Sequence, residues 1–289
     1  MENVLIIGLG LMGGSIAKDL KNTGKYKIWG IDLNKNHEQE ALKLGWVDAI
    51  VSIEKTSEAA WVILAVPVNH LPTLAVEVLN KVNENAIVFD MGSIKYPLCK
   101  AIEQHPKRTQ FVATHPIAGT EFSGPTAAIA HLFKNKLTII CDSQLTCPQK
   151  LEKTVLLWKS LSARIQLMNA VEHDKHLAYV SHLSHISSFM LGKTVLEIEQ
   201  DEHQIFNLAG SGFESTVRLA KSSPQTWAPI FLQNHPYILQ SLDEYIDNLQ
   251  QFRNLIHQQN NQELTSIMQQ CNHVGEILAG IALKNHQEP

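Results

Sequence analysis

A glycine-rich segment between a predicted strand and a predicted helix constrains the fold of this chain most strongly. The apolar residues 4–7 suit a strand buried on both faces, and a helical pattern covers residues 12–22. Between them, Gly8, Gly10 and Gly13 form the sequence GxGxxG. The first glycine permits a tight turn, the second lets backbone approach a pyrophosphate, and the third lets helix and strand pack closely. Because a helix N-terminus also offers free N–H groups to phosphates, the segment predicts a dinucleotide-binding fold.

An acidic residue after the next predicted strand indicates which dinucleotide the fold accepts. Asp32 lies about 20 residues beyond Gly13, where such folds place a carboxylate that accepts hydrogen bonds from the adenosine ribose. A carboxylate there repels a 2′-phosphate, which favours NAD over NADP, and the nearby Lys35 opposes this preference only slightly. The other predicted cofactor contacts lie in the same loop and after a later strand: Leu11, Met12, Val66 and Pro67.

The rest of the chain divides into two parts with different patterns. Strand-like runs alternate with helix-length segments up to residue 168, which predicts βαβ units and a largely parallel sheet. Residues 169–289 have almost no strand signal, and helices are expected over about 169–199, 226–257 and 261–284. We therefore expect an α/β Rossmann-type NAD-binding domain over residues 1–168 and an all-α domain over residues 169–289.

The predicted helix at the start of the second part indicates the oligomeric state of the protein. Asn169 resembles a helix N-cap, with Glu172 three residues on as in a capping box. The middle of this helix is apolar or small on most faces, so it must be buried in a domain core or between subunits. We expect a homodimer formed through the helical domain, which also holds the substrate.

Composition excludes several classes of partner. The formal net charge of −4 argues against nucleic acid or an acidic membrane surface. The longest apolar run, residues 59–66, is too short for a membrane span of about 20 residues. The four cysteines show no CxxC pairing and suit reduced thiols in a cytoplasmic protein, and the chain start has no basic segment typical of a secretory signal.

Two polar stretches follow predicted strands: residues 90–95, DMGSIK, and residues 114–121, THPIAGTE. The carboxyl ends of strands are the edge at which open α/β sheets hold ligands. His115 precedes a proline, which keeps it extended. Beside Ser93, this histidine could accept a proton from a substrate hydroxyl, and a hydrogen-bonded structural histidine is the alternative.

A cluster of histidines in the second part raises the question of a metal. His173, His176, His182 and His185 form two pairs with i, i+3 spacing, which can bind zinc. On one continuous α-helix the two pairs point to opposite sides, so we expect no metal site. His173 and His176 are expected to be surface or packing residues, whereas His182 faces near His185 and is a candidate for the border of the pocket.

Five motifs together resemble the prephenate dehydrogenase family, which includes the arogenate dehydrogenases. In order, they are the GxGxxG at Gly8, DMGSIK, HPIAGTE, SHLSH at residues 181–185, and the segment GSGF at 210–213 that leads to Arg218. The resemblance covers nearly the whole chain. It implies NAD-dependent oxidative decarboxylation of prephenate to 4-hydroxyphenylpyruvate, in tyrosine biosynthesis.

The resemblance also implies roles for individual residues. His115 matches the catalytic histidine that draws the proton of the ring hydroxyl, and Ser93 matches a serine that orients the hydroxyl and the histidine. The residues implied to contact the substrate are His185 near the nicotinamide, Arg218 on a carboxylate, Trp227 near the side chain, and Glu121 at the pocket mouth.

The chain departs from the family pattern just after the Gly-Phe pair. Family members often carry a basic residue and then an Asp there, whereas this chain has Glu214 and Ser215. An ionic network built on that Asp is therefore not expected.

Two other functions remain as alternatives. An arogenate dehydrogenase would accept a substrate with an ammonium group, and Trp227 without an evident acid partner favours prephenate instead. A non-enzymatic NAD-binding sensor on the same fold is opposed by the joint presence of Ser93, His115, His185 and Arg218.

The given sequence also bears on whether a second activity is expected. No helical extension as long as a mutase domain precedes Val4, and few residues follow the last predicted helix. The sequence therefore predicts a monofunctional enzyme.

Overall fold

A computed structural model of the chain describes residues 1–119, 122, 124–202 and 204–287. In these residues the strands are β1 Glu2–Ile7, β2 Tyr26–Ile31, β3 Ala49–Ile50, β4 Trp61–Leu64, β5 Ile87–Asp90, β6 Phe111–Pro116, β7 Leu137–Cys141 and β8 Arg164–Met168. The α-helices of the sheet-forming part are α1 Leu11–Asn22, α2 Lys35–Lys43, α3 Leu71–Lys81, α4 Tyr96–Ile102 and α5 Pro148–Ser160. The later α-helices are α6 Ala170–Leu177, α7 Leu183–Glu202, α8 Ser211–Val217, α9 Pro224–Gln233, α10 His235–His257 and α11 Asn261–Gln287.

All eight strands belong to one sheet, in the order β3-β2-β1-β4-β5-β6-β7-β8. Every neighbouring pair is parallel except β6 and β7, which are antiparallel. The predicted α/β Rossmann-type fold with a mostly parallel sheet, followed by helices, is confirmed. The short strand β3 was not predicted, because two residues carry no periodic pattern.

Both faces of the sheet are covered, which explains the continuous apolar strands. In β1, Val4 and Ile6 enter the core layer that includes α1 and α5 residues, while Leu5 and Ile7 enter the layer that includes α3 and α4 residues. Successive side chains of a strand point to opposite faces, so each face of β1 needs its own apolar residues.

The helix predicted from Asn169 to about residue 199 begins as expected and is helical without a break over residues 170–202, but it is not α-helical throughout. The Asn169 side chain accepts a hydrogen bond from the Glu172 backbone N–H at 2.7 Å. A π-helical segment, Ala178–His182, divides it into two α-helices, α6 and α7, so the extent of the prediction holds and its α-helical geometry fails at this segment. Because i→i+5 hydrogen bonds put more residues into each turn, an α-helical wheel misplaces side chains on either side of the segment relative to each other.

The predicted helix over residues 226–257 is also two helices, α9 and α10, with Asn234 between them. Pro236 has no N–H to continue the backbone hydrogen bonds of α9, and the Leu232 carbonyl instead lies 3.0 Å from His235 Nδ1. The last predicted helix, over residues 261–284, is confirmed as α11.

The chain forms two compact units, Met1–Ile238 and Leu239–Pro289. The first unit contains the sheet and every candidate site residue that the structure describes. The second contains most of α10 and all of α11, where several large apolar residues are exposed: Ile246, Leu249, Ile256, Met268, Val274, Ile277, Leu278 and Ile281. Within the described residues, none of the helices combines the length and apolar character needed to cross a membrane.

Candidate active site

The glycine-rich loop between β1 and α1 has the shape that a dinucleotide requires. Gly8 has a φ of +97°, and a Cβ there would lie 2.4 Å from the Ala65 carbonyl oxygen. A Cβ on Gly13 would lie 1.8 Å from the Gly8 carbonyl oxygen, so only glycine allows this approach of helix and strand. A Cβ on Gly10, by contrast, would have no atom within 4 Å. This open space at an α1 N-terminus without a side-chain cap or acidic first turn fits a pyrophosphate.

The Asp32 carboxylate is held beside this loop by backbone donors. Leu9 N donates to Oδ2 at 2.7 Å, and Asn34 N donates to Oδ1 at 2.8 Å. Lys35, the basic residue that could attract a 2′-phosphate, instead forms a 2.8 Å salt bridge with Glu38. The carboxylate therefore lies at the end of β2, as the ribose of NAD requires.

The other predicted cofactor residues lie at the same edge of the sheet. Leu11 and Met12 are half-buried at the start of α1, and Val66 and Pro67 follow β4, the neighbour of β1. The residues present thus fit a dinucleotide at the carboxyl ends of β1, β2 and β4.

A buried ion pair organises the next stretch of this edge. Lys95 and Asp90 are both fully buried, and the Lys95 ammonium is bonded to the Asp90 carboxylate and, at 2.7 Å, to the Thr114 carbonyl. The carboxylate also accepts hydrogen bonds from Gly92 N at 2.9 Å and Thr114 N at 3.1 Å. These contacts hold the loop after β5, on which Ser93 lies, against Thr114, the residue before His115. Ser93 itself is half-buried.

His115 lies in β6, extended as its proline neighbour predicted, and is 8% exposed. Its Nδ1 lies 2.8 Å from Nε2 of His173, whose Nδ1 lies 2.7 Å from the Asp174 carboxylate. Burial, and then the neighbouring His173, Lys95 and His182, holds the pKa of His115 well below its usual value near 6.5. The imidazole is therefore neutral at neutral pH and able to act as a base.

Three aromatic rings form a second group of candidate residues. The Trp227 ring, on α9, stacks on the His185 ring with centroids 3.4 Å apart and meets the His182 ring edge-on at 6.0 Å. The buried His182 bonds to Asn234 through Nδ1 at 3.1 Å, and burial lowers its pKa to about 4. Burial also lowers the pKa of His185, whose Nδ1 donates to the Ser181 carbonyl at 2.9 Å. The structure thus brings together His182, His185 and Trp227.

Arg218 begins a 3₁₀ turn after α8 and is exposed. Its positive charge acts on His185, where it contributes to the lowered pKa of that histidine. Glu214 and Ser215, at the positions that depart from the family pattern, are exposed in α8. The predicted site residue Glu121 lies outside the described residues.

Sequence reasoning missed several buried residues in the hydrogen-bonded groups around His115 and His182. His173 was expected at the surface or in ordinary packing, but it is completely buried and bonded to His115, whereas His176 is exposed. Asp174, Lys95 and Asn234 were not singled out. The signal that could have indicated Lys95 was the motif DMGSIK itself, in which Asp90 and Lys95 lie at the two ends of a short segment. Among the described residues, no group of three or more His, Cys, Asp or Glu side chains is arranged to hold a metal ion.

Comparison with known proteins places this geometry in a family. The family described as "Prephenate dehydrogenase, nucleotide-binding domain" matches residues 16–167, and "Prephenate dehydrogenase, dimerization domain" matches residues 169–270. The prephenate dehydrogenase of Bacillus subtilis is 35% identical over 269 residues, which span 91% of this chain and 72% of that protein.

Solved structures agree with the sequence matches. The crystal structure of prephenate dehydrogenase from A. aeolicus in complex with hydroxyphenyl propionate and NAD⁺ has a TM-score of 0.89 and 32% identity, and the match covers 96% of this chain and 98% of that one. The Synechocystis arogenate dehydrogenase has a TM-score of 0.79 and 26% identity, with coverage of 96% and 99%. With both domain descriptions matched along most of its length, this chain belongs to the prephenate dehydrogenase family.

Proposed function

We propose that this chain catalyses the NAD-dependent oxidative decarboxylation of prephenate to 4-hydroxyphenylpyruvate, a step of tyrosine biosynthesis. The observation that carries the proposal is the buried, neutral His115 at the same sheet edge as the glycine-rich loop. Oxidising a hydroxyl by hydride loss requires a base for the hydroxyl proton beside the hydride acceptor. The sheet supplies both positions at the carboxyl ends of its parallel strands.

Each residue at this edge then has a defined task in the reaction. Bound NAD would supply the hydride acceptor, with its pyrophosphate at Gly10 and its ribose on Asp32. His115 takes the proton of the ring hydroxyl, and Ser93 orients that hydroxyl. Loss of CO₂ aromatises the ring, which makes the step irreversible.

The helical residues hold the substrate. Arg218 binds a substrate carboxylate, because its guanidinium can meet the two oxygens with two parallel N–H bonds. The stacked pair of His185 and Trp227 forms one wall of the pocket, and His182 borders it. Glu121 is assigned to the pocket mouth.

A steady-state assay tests the proposed activity directly. Prephenate and arogenate are each supplied with NAD or NADP, and formation of the reduced nicotinamide is followed by absorbance. Turnover is expected with prephenate and NAD. Preference for arogenate would make the chain an arogenate dehydrogenase, and absence of turnover with every combination would favour a non-enzymatic role.

Asp32 is expected to set the preference for NAD over NADP. Replacing it with serine removes both the ribose acceptor and the repulsion of a 2′-phosphate, so we expect the ratio of kcat/KM values for NAD and NADP to fall about two- to tenfold, the size of one hydrogen bond. A Lys35→Ala variant is the matched control, because Lys35 is paired with Glu38. A wild-type enzyme that uses both cofactors equally would contradict this role of Asp32.

We also propose that the NAD-binding domain ends at residue 168, that residues 169–289 form the substrate-binding helical domain, and that two chains pair through it. Exposed apolar residues on α7 support the pairing: Met190, Leu191, Leu196 and Ile198. Apolar patches of this kind mark interfaces. The matching family description as a dimerization domain also supports pairing. The four free cysteines suit a cytoplasmic location.

Light scattering at micromolar concentration measures the assembly. We expect a mass about twice the 32.3 kDa of one chain, because an obligate interface of this kind does not dissociate at that concentration. A Leu196→Lys variant places a charge on the exposed α7 surface and should lower the mass. A wild-type mass near that of one chain would refute the dimer.

A further inference from the structure

A continuous line of hydrogen bonds runs from the start of α4 to His115. It begins at the Asp174 carboxylate, which is 1% exposed. Lys95 N donates to its Oδ1 at 2.8 Å, and Tyr96 N donates to its Oδ2 at 2.8 Å. A backbone N–H can only donate, so both carboxylate oxygens act as acceptors.

The acceptors on Asp174 determine which nitrogen of His173 carries a proton. Oδ1 lies 2.7 Å from Nδ1 of His173, and an acceptor can bond only to a nitrogen that bears hydrogen. A neutral His173 therefore carries its single proton on Nδ1 and presents the lone pair of Nε2. Since His173 is completely buried, bulk water does not compete for either nitrogen.

The same reasoning applies to the hydrogen bond between His173 and His115. Nε2 of His173 lies 2.8 Å from Nδ1 of His115, so His115 must donate there through Nδ1–H. A neutral imidazole has one N–H, which leaves Nε2 of His115 unprotonated. The other charged or titratable groups that act on His115 are Lys95, which is paired with Asp90, and His182.

We propose that Asp174 and His173 are positioning residues that fix the tautomer of His115, so that its bare Nε2 receives the proton of the substrate hydroxyl. This inference rests on the proposed function. As the O–H bond breaks, a new N–H bond forms at Nε2, and the O–H electron pair forms a carbonyl with the ring carbon. The hydride leaves that carbon for the nicotinamide with the two electrons of the C–H bond. The electron pair of the C–COO⁻ bond then enters the ring as CO₂ leaves, and the phenolate oxygen recovers the proton from His115.

The line of bonds also stabilises the cation that forms during the step. Protonated His115 still donates through Nδ1 to His173, and the Asp174 carboxylate at the far end polarises that acceptor. Carboxylates that orient a catalytic imidazole act in this way in hydrolase triads. The arrangement compensates for the burial that otherwise disfavours a charged His115.

Variants of the two positioning residues test the proposal by kinetics. In Asp174→Asn, a side-chain N–H₂ facing His173 would reverse both tautomers and place the proton of His115 on Nε2. We expect kcat to fall by about 10²–10⁴, the scale of a wrong tautomer, with KM for prephenate changed less than about threefold. His173→Leu should show a similar loss, and His173→Gln should recover part of it, because its amide can accept from His115 and donate to Asp174. His176→Leu, on the exposed side of α6, is the matched control.

A spectroscopic measurement separates tautomer control from a merely structural role. Nitrogen-15 NMR of histidine-labelled enzyme with NAD, compared with a His115→Asn variant for assignment, reports which His115 nitrogen bears hydrogen. We expect hydrogen on Nδ1 in the wild type and on Nε2 in Asp174→Asn. Should Asp174→Asn fail to fold, His173→Leu and His173→Gln provide the same comparison, since the His173 side chain makes no bond to the α4 backbone in the described structure.

The outcomes distinguish this proposal from the proposed function. A wild-type His115 with hydrogen on Nε2, or wild-type kcat in His173→Leu, would overturn the positioning role while the prephenate activity stands. A wild-type enzyme without prephenate turnover would instead overturn the proposed function, and the NMR measurement would still decide the tautomer.

Discussion

Replacing His115 with asparagine is expected to reduce kcat by about 10²–10⁴, the usual contribution of a positioned general base. Asparagine preserves polarity and approximate size in β6, but its amide cannot accept a proton at neutral pH. The neutral state of His115 follows from its burial, which holds the pKa of the imidazole well below its usual range. Steady-state absorbance of the reduced nicotinamide measures the effect with saturating prephenate and NAD.

Two controls make the result specific. The affinity for NAD should stay unchanged in His115→Asn, because within the described part of the chain the glycine-rich loop and Asp32 form no hydrogen bond with His115. His176→Asn, three residues from His173 but exposed, should retain wild-type turnover. Near-wild-type kcat in His115→Asn would remove this histidine from the mechanism.

Replacing Arg218 with alanine is expected to raise KM for prephenate at least about tenfold, or about 1.4 kcal/mol, with a smaller change in kcat. Prephenate carries two carboxylates, yet residues 169–289 contain 13 Asp and Glu against 6 Lys and Arg. A dianion entering this acidic part needs a local cation. Arg218 and Lys221 are the only Lys or Arg residues between Lys193 and Arg253, and Arg218 acts electrostatically on His185.

Arg218→Lys should recover only part of the loss, because an ammonium acts as a point charge and cannot hold a carboxylate in one orientation. Lys221→Ala is the matched control, since it removes the same charge from the same exposed turn. An unchanged KM in Arg218→Ala together with a raised KM in Lys221→Ala would transfer the carboxylate-binding role to Lys221.

Local patterns were sufficient for the parts of the fold that depend on neighbours in sequence. The apolar run at residues 4–7, the glycines after it and the acid at Asp32 all lie within one βαβ unit, so their spacing carries the information. The helix start at Asn169 is equally local, because its side chain caps its own helix. The break at Asn234 was missed although Pro236 stood beside it, since the apolar pattern continues across that break.

The α/β class and the glycine-rich loop for NAD could be predicted from the chain alone, because backbone conformation and strand burial follow from short-range periodicity and turn chemistry. The family could be recognised from the resemblance of five motifs. The surroundings of His115, by contrast, depend on tertiary contacts. His173 lies 58 residues from it and Asp174 lies 79 residues from Lys95, so their bonds exist only once α4 and α6 meet beside β6. The π-helical segment Ala178–His182 also changes the number of residues per turn within the helix, which an α-helical wheel does not take into account. The tautomer of His115 is likewise a tertiary property, since it depends on a carboxylate whose orientation is set by backbone donors on another helix.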